Sequence, residues 1–211
     1  MKIATFDVDV QKGFTPLCPD ELPVPEGHLI VPELQYMASF GTIRIGSKDA
    51  HPEQAVWTVT SPDEMLAPLT FPDADLTWVK HCVSGTTGFE LLDGMPHPSD
   101  YDLFVWKGME PDLHPYGACY HDIRENLSTG VIEFLREKEV DLVIVGGLAF
   151  DFCVKTTVEQ LSRAGFAVVV YLPATRALTE RGYHDTAAHL GTLKNVRIAK
   201  DRADLATYRQ F

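Results

Sequence analysis

The sequence has few cysteines, and none of them lie close together. Its 211 residues include four cysteines, none of them in a CxxC pair: Cys18, Cys82, Cys119 and Cys153. This usage excludes a disulfide-rich secreted scaffold and is typical of a cytoplasmic protein whose thiols stay reduced. It leaves open a chemical role for a single cysteine.

Basic charge and long apolar runs are also scarce. Thirty Asp and Glu residues against eighteen Lys and Arg give a net charge of −12, which argues against partners such as nucleic acid or an anionic membrane. No window approaches eighteen apolar residues, so we expect no membrane span. Asp7 and Asp9 interrupt the first apolar run, which is wrong for a signal peptide. The possibility of a homo-oligomer stays open.

The composition is that of a globular chain, with 45% hydrophobic and 23% charged residues. Short β-rich runs alternate with helical patterns, and continuous apolar strands are typical of a parallel sheet covered on both faces. The predicted strands are Ile3–Val8, Thr42–Gly46, Tyr101–Trp106, Val140–Val145, Phe166–Leu172 and Asn195–Ala199. We predict one domain over residues 1–211, an α/β three-layer α/β/α sandwich with a six-stranded, mostly parallel sheet.

Helices are predicted between these strands. Pro32 opens the first, Ser128 or Thr129 caps the second, residues 153–164 form the third, and Thr179 caps the last. Residues from about 50 to 99 lack this periodicity, and we interpret them as a long functional excursion.

Side chains with catalytic chemistry follow three of the predicted strands. Asp9, Lys107 and Cys153 come after the first, third and fourth strands, and ligands of open parallel sheets bind outside these carboxyl ends. Cys153 is the candidate nucleophile, Lys107 the nearby cation and Asp9 the proton carrier. The amides of Ala149 and Cys153 are the candidate oxyanion hole. A buried, inert Cys153 is the alternative, because free cysteine most often acts as a small hydrophobe.

Asp49, His51 and His81 are the candidate metal ligands. The first two form a DAH sequence after the second predicted strand, and His81 lies in the sequence WVKHCV. Two imidazoles and a carboxylate with open positions suit Zn²⁺, Fe²⁺ or Mn²⁺. The alternative is a surface turn and a histidine satisfied by ordinary hydrogen bonds.

Aromatic residues near these positions could form a pocket for a flat ring. Phe14, Trp78 and Tyr116 are the candidates, and an ordinary core position is the alternative for each. The other six histidines are interpreted as surface or helix residues: His28, His97, His114, His121, His184 and His189.

Six segments occur in a specific order along nearly the whole chain: DVQKGF, ELPV, SKDAHP, WVKHCVSGTTG, VWKG and GLAFDFCV. Together they resemble the nicotinamidase/pyrazinamidase branch of the isochorismatase-like cysteine hydrolases. SKDAHP resembles the metal loop of that branch, and GLAFDFCV resembles its nucleophile loop. Any one segment is weak evidence, whereas six in order at compatible spacing are specific.

The resemblance implies a nicotinamidase, a hydrolase of linear amides that converts nicotinamide to nicotinate and ammonia, often accepts pyrazinamide, and serves NAD salvage. It therefore implies a small-molecule partner, nicotinamide. It implies that the three residues after the strands form a catalytic triad with a thioester on Cys153. It also implies that one divalent ion, zinc ahead of iron or manganese, binds the substrate's ring nitrogen. By the same resemblance, the peptide bond between Leu148 and Ala149 is expected to be cis.

The chain departs from the family pattern at several positions. Gly13, Val79 and Phe152 replace the commoner residues, and the segment from 107 to 120 is the least standard. No fourth metal ligand is evident after His51, because Trp57 and Thr60 lie where some relatives carry one.

Three alternatives stay open. The first is a metal hydrolase in which metal-activated water attacks and Cys153 is incidental. The second is a related amidase for another small amide. The third is a non-catalytic, ligand-binding relative, which the presence of the complete triad disfavours.

Overall fold

The computed structural model describes residues 1–210 of the chain, and the side chains of residues 1–208. Strands and helices alternate along most of this length. The strands are β1 (Ile3–Val8), β2 (Ile43–Asp49), β3 (Thr58–Val59), β4 (Pro68–Phe71), β5 (Ala74–Leu76), β6 (Trp78–Val79), β7 (Leu103–Lys107), β8 (Leu142–Leu148), β9 (Ala167–Arg176) and β10 (Val196–Ala199). The α-helices are α1 (Val31–Ala38), α2 (Val131–Glu137), α3 (Lys155–Arg163), α4 (Glu180–Leu190) and α5 (Arg202–Ala206).

Six of the strands form one sheet in the order β10-β9-β8-β1-β2-β7. Each neighbouring pair is parallel. The predicted six-stranded α/β sandwich is therefore confirmed. The sheet is covered on both faces, which is why its central strand β8 has no alternation of buried and exposed residues: every residue of β8 is buried.

Side chains of successive strand residues divide between two cores. Leu142 and Ile144 of β8 pack into the core that includes residues of α1 and α5. Val143 and Val145 pack into the core that includes residues of α2, α3 and α4. This period of two places one helical layer on each side of the sheet.

Strand ends differ from the sequence prediction in ways that matter for the site. β2 continues beyond Gly46 to Asp49, and β7 continues beyond Trp106 to Lys107. The two residues are register partners in the parallel ladder. Both candidate site residues are thus terminal strand residues, held by the sheet rather than by a loop.

Two helix predictions were wrong in detail. Gly130, with φ of +87°, precedes α2 in place of a capping Ser128 or Thr129 side chain. Cys153 lies in a π-helical turn, Phe150–Val154, and not at the start of α3. The prediction that Thr179 caps α4 is confirmed, since its side chain accepts a hydrogen bond from the amide of Gly182.

The excursion from residue 50 to 99 contains short strands and turns. β3 pairs with β6, and β4 pairs with β5. His51 is joined to the segment after β6, because its amide donates to the carbonyl of Cys82 and its carbonyl accepts from Ser84. Among the described residues, no helix is long and apolar enough to cross a membrane.

Candidate active site

Four adjacent strands end at one edge of the sheet and bring four reactive side chains together. Asp9 follows β1, Asp49 ends β2, Lys107 ends β7, and Cys153 lies in the turn after β8. Their exposed fractions are 0%, 2%, 0% and 6%. The parallel topology predicts this convergence, because the carboxyl ends of the strands share one edge.

Lys107 is the centre of this cluster. Its Nζ atom lies 3.0 Å from Oδ2 of Asp9 and 3.8 Å from Sγ of Cys153. It also donates hydrogen bonds to Oδ1 of Asp49 and, at 3.2 Å, to the carbonyl oxygen of Pro115. One ammonium group therefore pairs with two carboxylates and contacts the thiol.

Burial and neighbouring charges decide which groups of the cluster carry protons. Burial alone would favour neutral Lys107, but the carboxylates of Asp49 and Asp9 raise its pKa well above the ordinary value. Burial raises the pKa of Asp9, against the opposing charge of Lys107. Burial also raises the pKa of the Cys153 thiol well above its ordinary value, although Lys107 lowers it. The resting site therefore holds an ammonium ion, a neutral thiol and a carboxyl group of raised proton affinity.

Two polar residues hold Asp9 and Asp49 in place, one through a carboxylate and the other through the backbone. The hydroxyl of Ser47 donates to Oδ1 of Asp9 at 2.7 Å. The side chain of Gln11 donates to the carbonyl oxygen of Asp49 at 2.8 Å and accepts from its amide at 2.7 Å. Sequence analysis missed both positioning contacts, because they depend on the register of β1 against β2.

The loop after β8 carries the candidate oxyanion hole. The peptide bond between Leu148 and Ala149 is cis, which confirms that expectation. The carbonyl oxygen of Ala149 accepts the amide hydrogen of Val154 at 3.1 Å and closes the turn that carries Cys153. The oxyanion role of the Ala149 and Cys153 amides stays a prediction.

Two of the candidate metal ligands lie beside Asp49. Nδ1 of His51 lies 3.1 Å from the carbonyl oxygen of Gly108, and Nδ1 of His81 lies 2.7 Å from that of Val79. Each Nδ1 can donate to its carbonyl, which leaves the Nε2 lone pair available. Nε2 of His51 lies 3.4 Å from Oδ2 of Asp49.

The structure adds a third histidine to this group. His114 is 4% exposed, so its interpretation as a surface or helix residue was wrong. One ring nitrogen from each of His51, His81 and His114 lies within 4.8 Å of the others. Burial and the adjacent imidazoles lower the pKa of His81 to about 3 and that of His114 well below its ordinary value. Neutral imidazoles are the form that binds divalent metals.

The other five histidines of that set are exposed or half-buried, as expected: His28, His97, His121, His184 and His189. No sequence signal distinguishes His114 from them. It lies in the least standard segment of the chain, and contacts from distant residues bring it to the site.

An apolar pocket opens onto both clusters. Residues lining it include the three predicted aromatic side chains and members of both clusters: Phe14, Trp78, Tyr116, Phe152, Asp49, His81, His114, Ala149 and Cys153. The Nε1 group of Trp78 donates to the Tyr116 hydroxyl at 3.2 Å, and that hydroxyl donates to Asp75 at 2.8 Å. The pocket is suited to a small, flat ring that carries a reactive group.

Comparison with known proteins places these features in a family. The Isochorismatase domain matches residues 48–199, well over half of the chain. The chain belongs to the isochorismatase family. The matched region contains the candidate metal ligands, Lys107 and Cys153, while Asp9 lies before it.

Relatives of this isochorismatase-family chain include nicotinamidases. The nicotinamidase of Acinetobacter baylyi is 31% identical over 183 residues, which cover 85% of this chain and 83% of the relative. The structure of PnC1 from L. infantum in complex with nicotinate has a TM-score of 0.79 and 25% identity, over 94% of this chain and 92% of that one. The zinc complex of Pyrococcus horikoshii pyrazinamidase has a TM-score of 0.75 and 24% identity, over 95% of this chain and 100% of that one, which shows a shared fold.

Proposed function

We propose that this isochorismatase-family chain is a metal-dependent cysteine amidohydrolase that deamidates nicotinamide to nicotinate and ammonia, and that also accepts pyrazinamide. One observation carries the proposal: buried Lys107 contacts both Asp9 and Cys153, and Cys153 lines an apolar pocket. The same pocket reaches His81 and His114. The nucleophile and the ion site therefore face one cavity, and the carboxylate of Asp9 lies within 4.8 Å of the thiol.

The pocket supports a small aromatic amide as the substrate. Its aromatic walls suit a flat ring, with the carboxamide directed at Cys153 and the ring nitrogen at the imidazoles. The identity to the A. baylyi nicotinamidase and the likeness to the nicotinate-bound L. infantum protein support a pyridine ring.

Acylation begins with proton transfer from the Cys153 thiol to Asp9. The thiolate attacks the carboxamide carbon, and the amide N–H groups of Ala149 and Cys153 stabilise the oxyanion. When the C–N bond breaks, Asp9 returns the proton to the leaving group, which departs as ammonia. The acyl group is left on Cys153 as a thioester.

Deacylation uses the same groups with water. Asp9 accepts a proton from water as the oxygen attacks the thioester carbon, and the C–S bond then breaks. The departing thiolate recovers this proton from Asp9, and the product acid releases its own proton to solvent and leaves the pocket as nicotinate. Lys107 stays protonated throughout and stabilises the negative charge that moves between Asp9 and Cys153.

The histidine cluster fits a divalent metal ion. Within the described residues, Nε2 of His51 and both ring nitrogens of His114 are buried without a hydrogen-bond partner. Buried polar atoms rarely stay unpaired, so these ring nitrogens indicate a site for a bound ligand. When bound, the ion supplies a Lewis acid for the substrate's ring nitrogen and so orients the carboxamide. We propose Asp49, His51 and His81 as ligands, with zinc ahead of iron or manganese.

We further propose that the enzyme works in the cytoplasm, in NAD salvage, as one domain over residues 1–211 with a metal-binding excursion at about 50–99. The four cysteines are unpaired, which supports a reducing compartment.

Ammonia release from nicotinamide, with and without a chelator, tests this function. We expect turnover of nicotinamide and pyrazinamide, loss after chelation, and recovery on adding zinc. Benzamide has the same shape without the ring nitrogen and is the matched control, which should react far more slowly. Absence of turnover by the metal-loaded protein would refute the proposal. An equal rate with benzamide would refute the role given to the ring nitrogen.

A further inference from the structure

His114 is a buried imidazole whose nitrogens are unpaired in the described structure. Both Nδ1 and Nε2 lack a hydrogen-bond partner, although the residue is 4% exposed. The rings of His51 and His81 each place Nδ1 near a backbone carbonyl oxygen. Of the three histidines, His114 is therefore the one for which no described protein group forms a hydrogen bond with either ring nitrogen.

The backbone on both sides of His114 is anchored by separate parts of the molecule. The indole of Trp57 donates to the carbonyl oxygen of Leu113 at 2.9 Å, and the amide of His114 donates to that of Asp73 at 2.7 Å. The ammonium of Lys107 donates to the carbonyl oxygen of Pro115. Three consecutive residues are thus fixed, which holds the ring of His114 at the cluster.

Trp57 packs against the same cluster. Its ring centroid lies 4.7 Å from that of His51 and 4.5 Å from that of His114, and its side chain is buried. An indole presents no lone pair to a metal ion. Trp57 therefore cannot add a ligand to Asp49, His51 and His81, whereas one ring nitrogen of His114 lies within 4.8 Å of a ring nitrogen of each of the other two imidazoles.

Asp49 is only partly available to an ion. Its Oδ1 atom accepts a hydrogen bond from Lys107, which leaves Oδ2 on the side of His51. A site formed by Asp49, His51 and His81 alone would offer the ion two imidazoles and one carboxylate that also pairs with Lys107.

From these contacts we infer that His114 is a metal ligand, so that three imidazoles, from His51, His81 and His114, hold the ion. The inference deepens the proposed function and depends on its metal site. A set of neutral imidazoles favours zinc over manganese, because nitrogen donors suit the later divalent metals. The segment after β7 thus supplies a ligand where Trp57 supplies none.

X-ray absorption spectroscopy of the zinc-loaded wild-type protein tests this directly. The fine structure at the zinc edge counts imidazole ligands, and we expect three. A count of two would overturn the role of His114 and leave the proposed function intact. Failure of the wild-type protein to bind zinc would overturn both this inference and the proposed metal site.

A matched pair of variants separates a ligand from an aromatic spacer. His114→Phe keeps a flat ring, which can still pack against Trp57 and His51, but removes both nitrogens. We expect its zinc dissociation constant, from competition with a chromophoric chelator, to rise by about 100-fold or more. His121→Phe, later in the same connection, should leave the constant unchanged. Wild-type zinc affinity in His114→Phe would overturn the inference.

Discussion

Nζ of Lys107 lies 3.8 Å from Sγ of Cys153, and both side chains are buried. A cation at this distance lowers the pKa of a thiol, yet desolvation and the carboxylates of Asp9 and Asp49 raise it by more. The cysteine therefore rests as a thiol. Its reactivity depends on passing its proton to Asp9 when a substrate is present, not on a permanent thiolate.

Removal of Lys107 should lower the stability of the folded protein. Lys107→Met leaves the carboxylates of Asp9 and Asp49 buried together without their counter-charge. We expect a loss of about 3–5 kcal/mol in the free energy of unfolding, measured by urea titration. Lys138→Met, which removes an exposed ion pair with Glu137, should cost less than about 1 kcal/mol. Equal costs in the two variants would contradict this account.

Cys153→Ala should abolish turnover but keep the pocket. Because the thiol forms the covalent intermediate, we expect kcat for nicotinamide to fall by at least about 10⁴-fold. Nicotinate binding, measured by calorimetry, should persist. Cys18→Ala, at a half-buried cysteine outside the pocket, is the control and should retain wild-type kcat. Near-normal turnover by Cys153→Ala would favour direct attack by water and refute the thioester scheme.

Gly108→Ala should displace a metal ligand. A Cβ at this position would lie 2.6 Å from Cε1 of His51, and the residue has φ of +72°. Gly85→Ala is the matched control, since its φ is +85° and no atom lies within 4 Å of the added Cβ. Both variants should lose about 1–2 kcal/mol through the left-handed backbone.

The two glycine variants should differ in zinc affinity. We expect weaker zinc binding in Gly108→Ala and wild-type binding in Gly85→Ala, both measured by chelator competition. If Gly108→Ala binds zinc as tightly as the wild type, then His51 does not bind the ion with its ring where the structure places it.

The sheet and most of the site could be predicted from sequence because they depend on local patterns. Continuous apolar runs mark β1 and β8, and the sequence places Asp49 and Lys107 just after the predicted second and third strands. Once parallel strands are assumed, topology alone brings the polar residues at their ends to one edge.

His114 could not be predicted because nothing local places it. The segment from 108 to 120 has no strand or helix periodicity, and contacts with Trp57 and Asp73 determine its path. The π-helical turn at Cys153 was missed for a similar reason, since its apolar pattern continues into α3. Positions fixed by tertiary contacts leave no periodic signal in the sequence.

A carboxylate far from the site should make stability depend on pH. Glu33 of α1 accepts hydrogen bonds from Arg202 at 2.9 and 3.1 Å and from Tyr171 at 2.5 Å. The bonds from Arg202, with help from Tyr171, lower the pKa of Glu33 below its ordinary value of 4.5. The folded protein thus binds this proton less tightly than the unfolded chain, so the stabilisation is present above pH 4.5 and is lost as pH falls through the lowered pKa.

Glu33→Gln should therefore be less stable than the wild type at pH 7, by at most about 1 kcal/mol because the pair is partly exposed. Urea titrations from pH 7 to pH 3 should show the difference between the two proteins shrinking below pH 4.5, as the wild-type carboxylate gains its proton. A difference that stays constant over this range would mean that the charge of Glu33 does not stabilise the contact between α1 and α5.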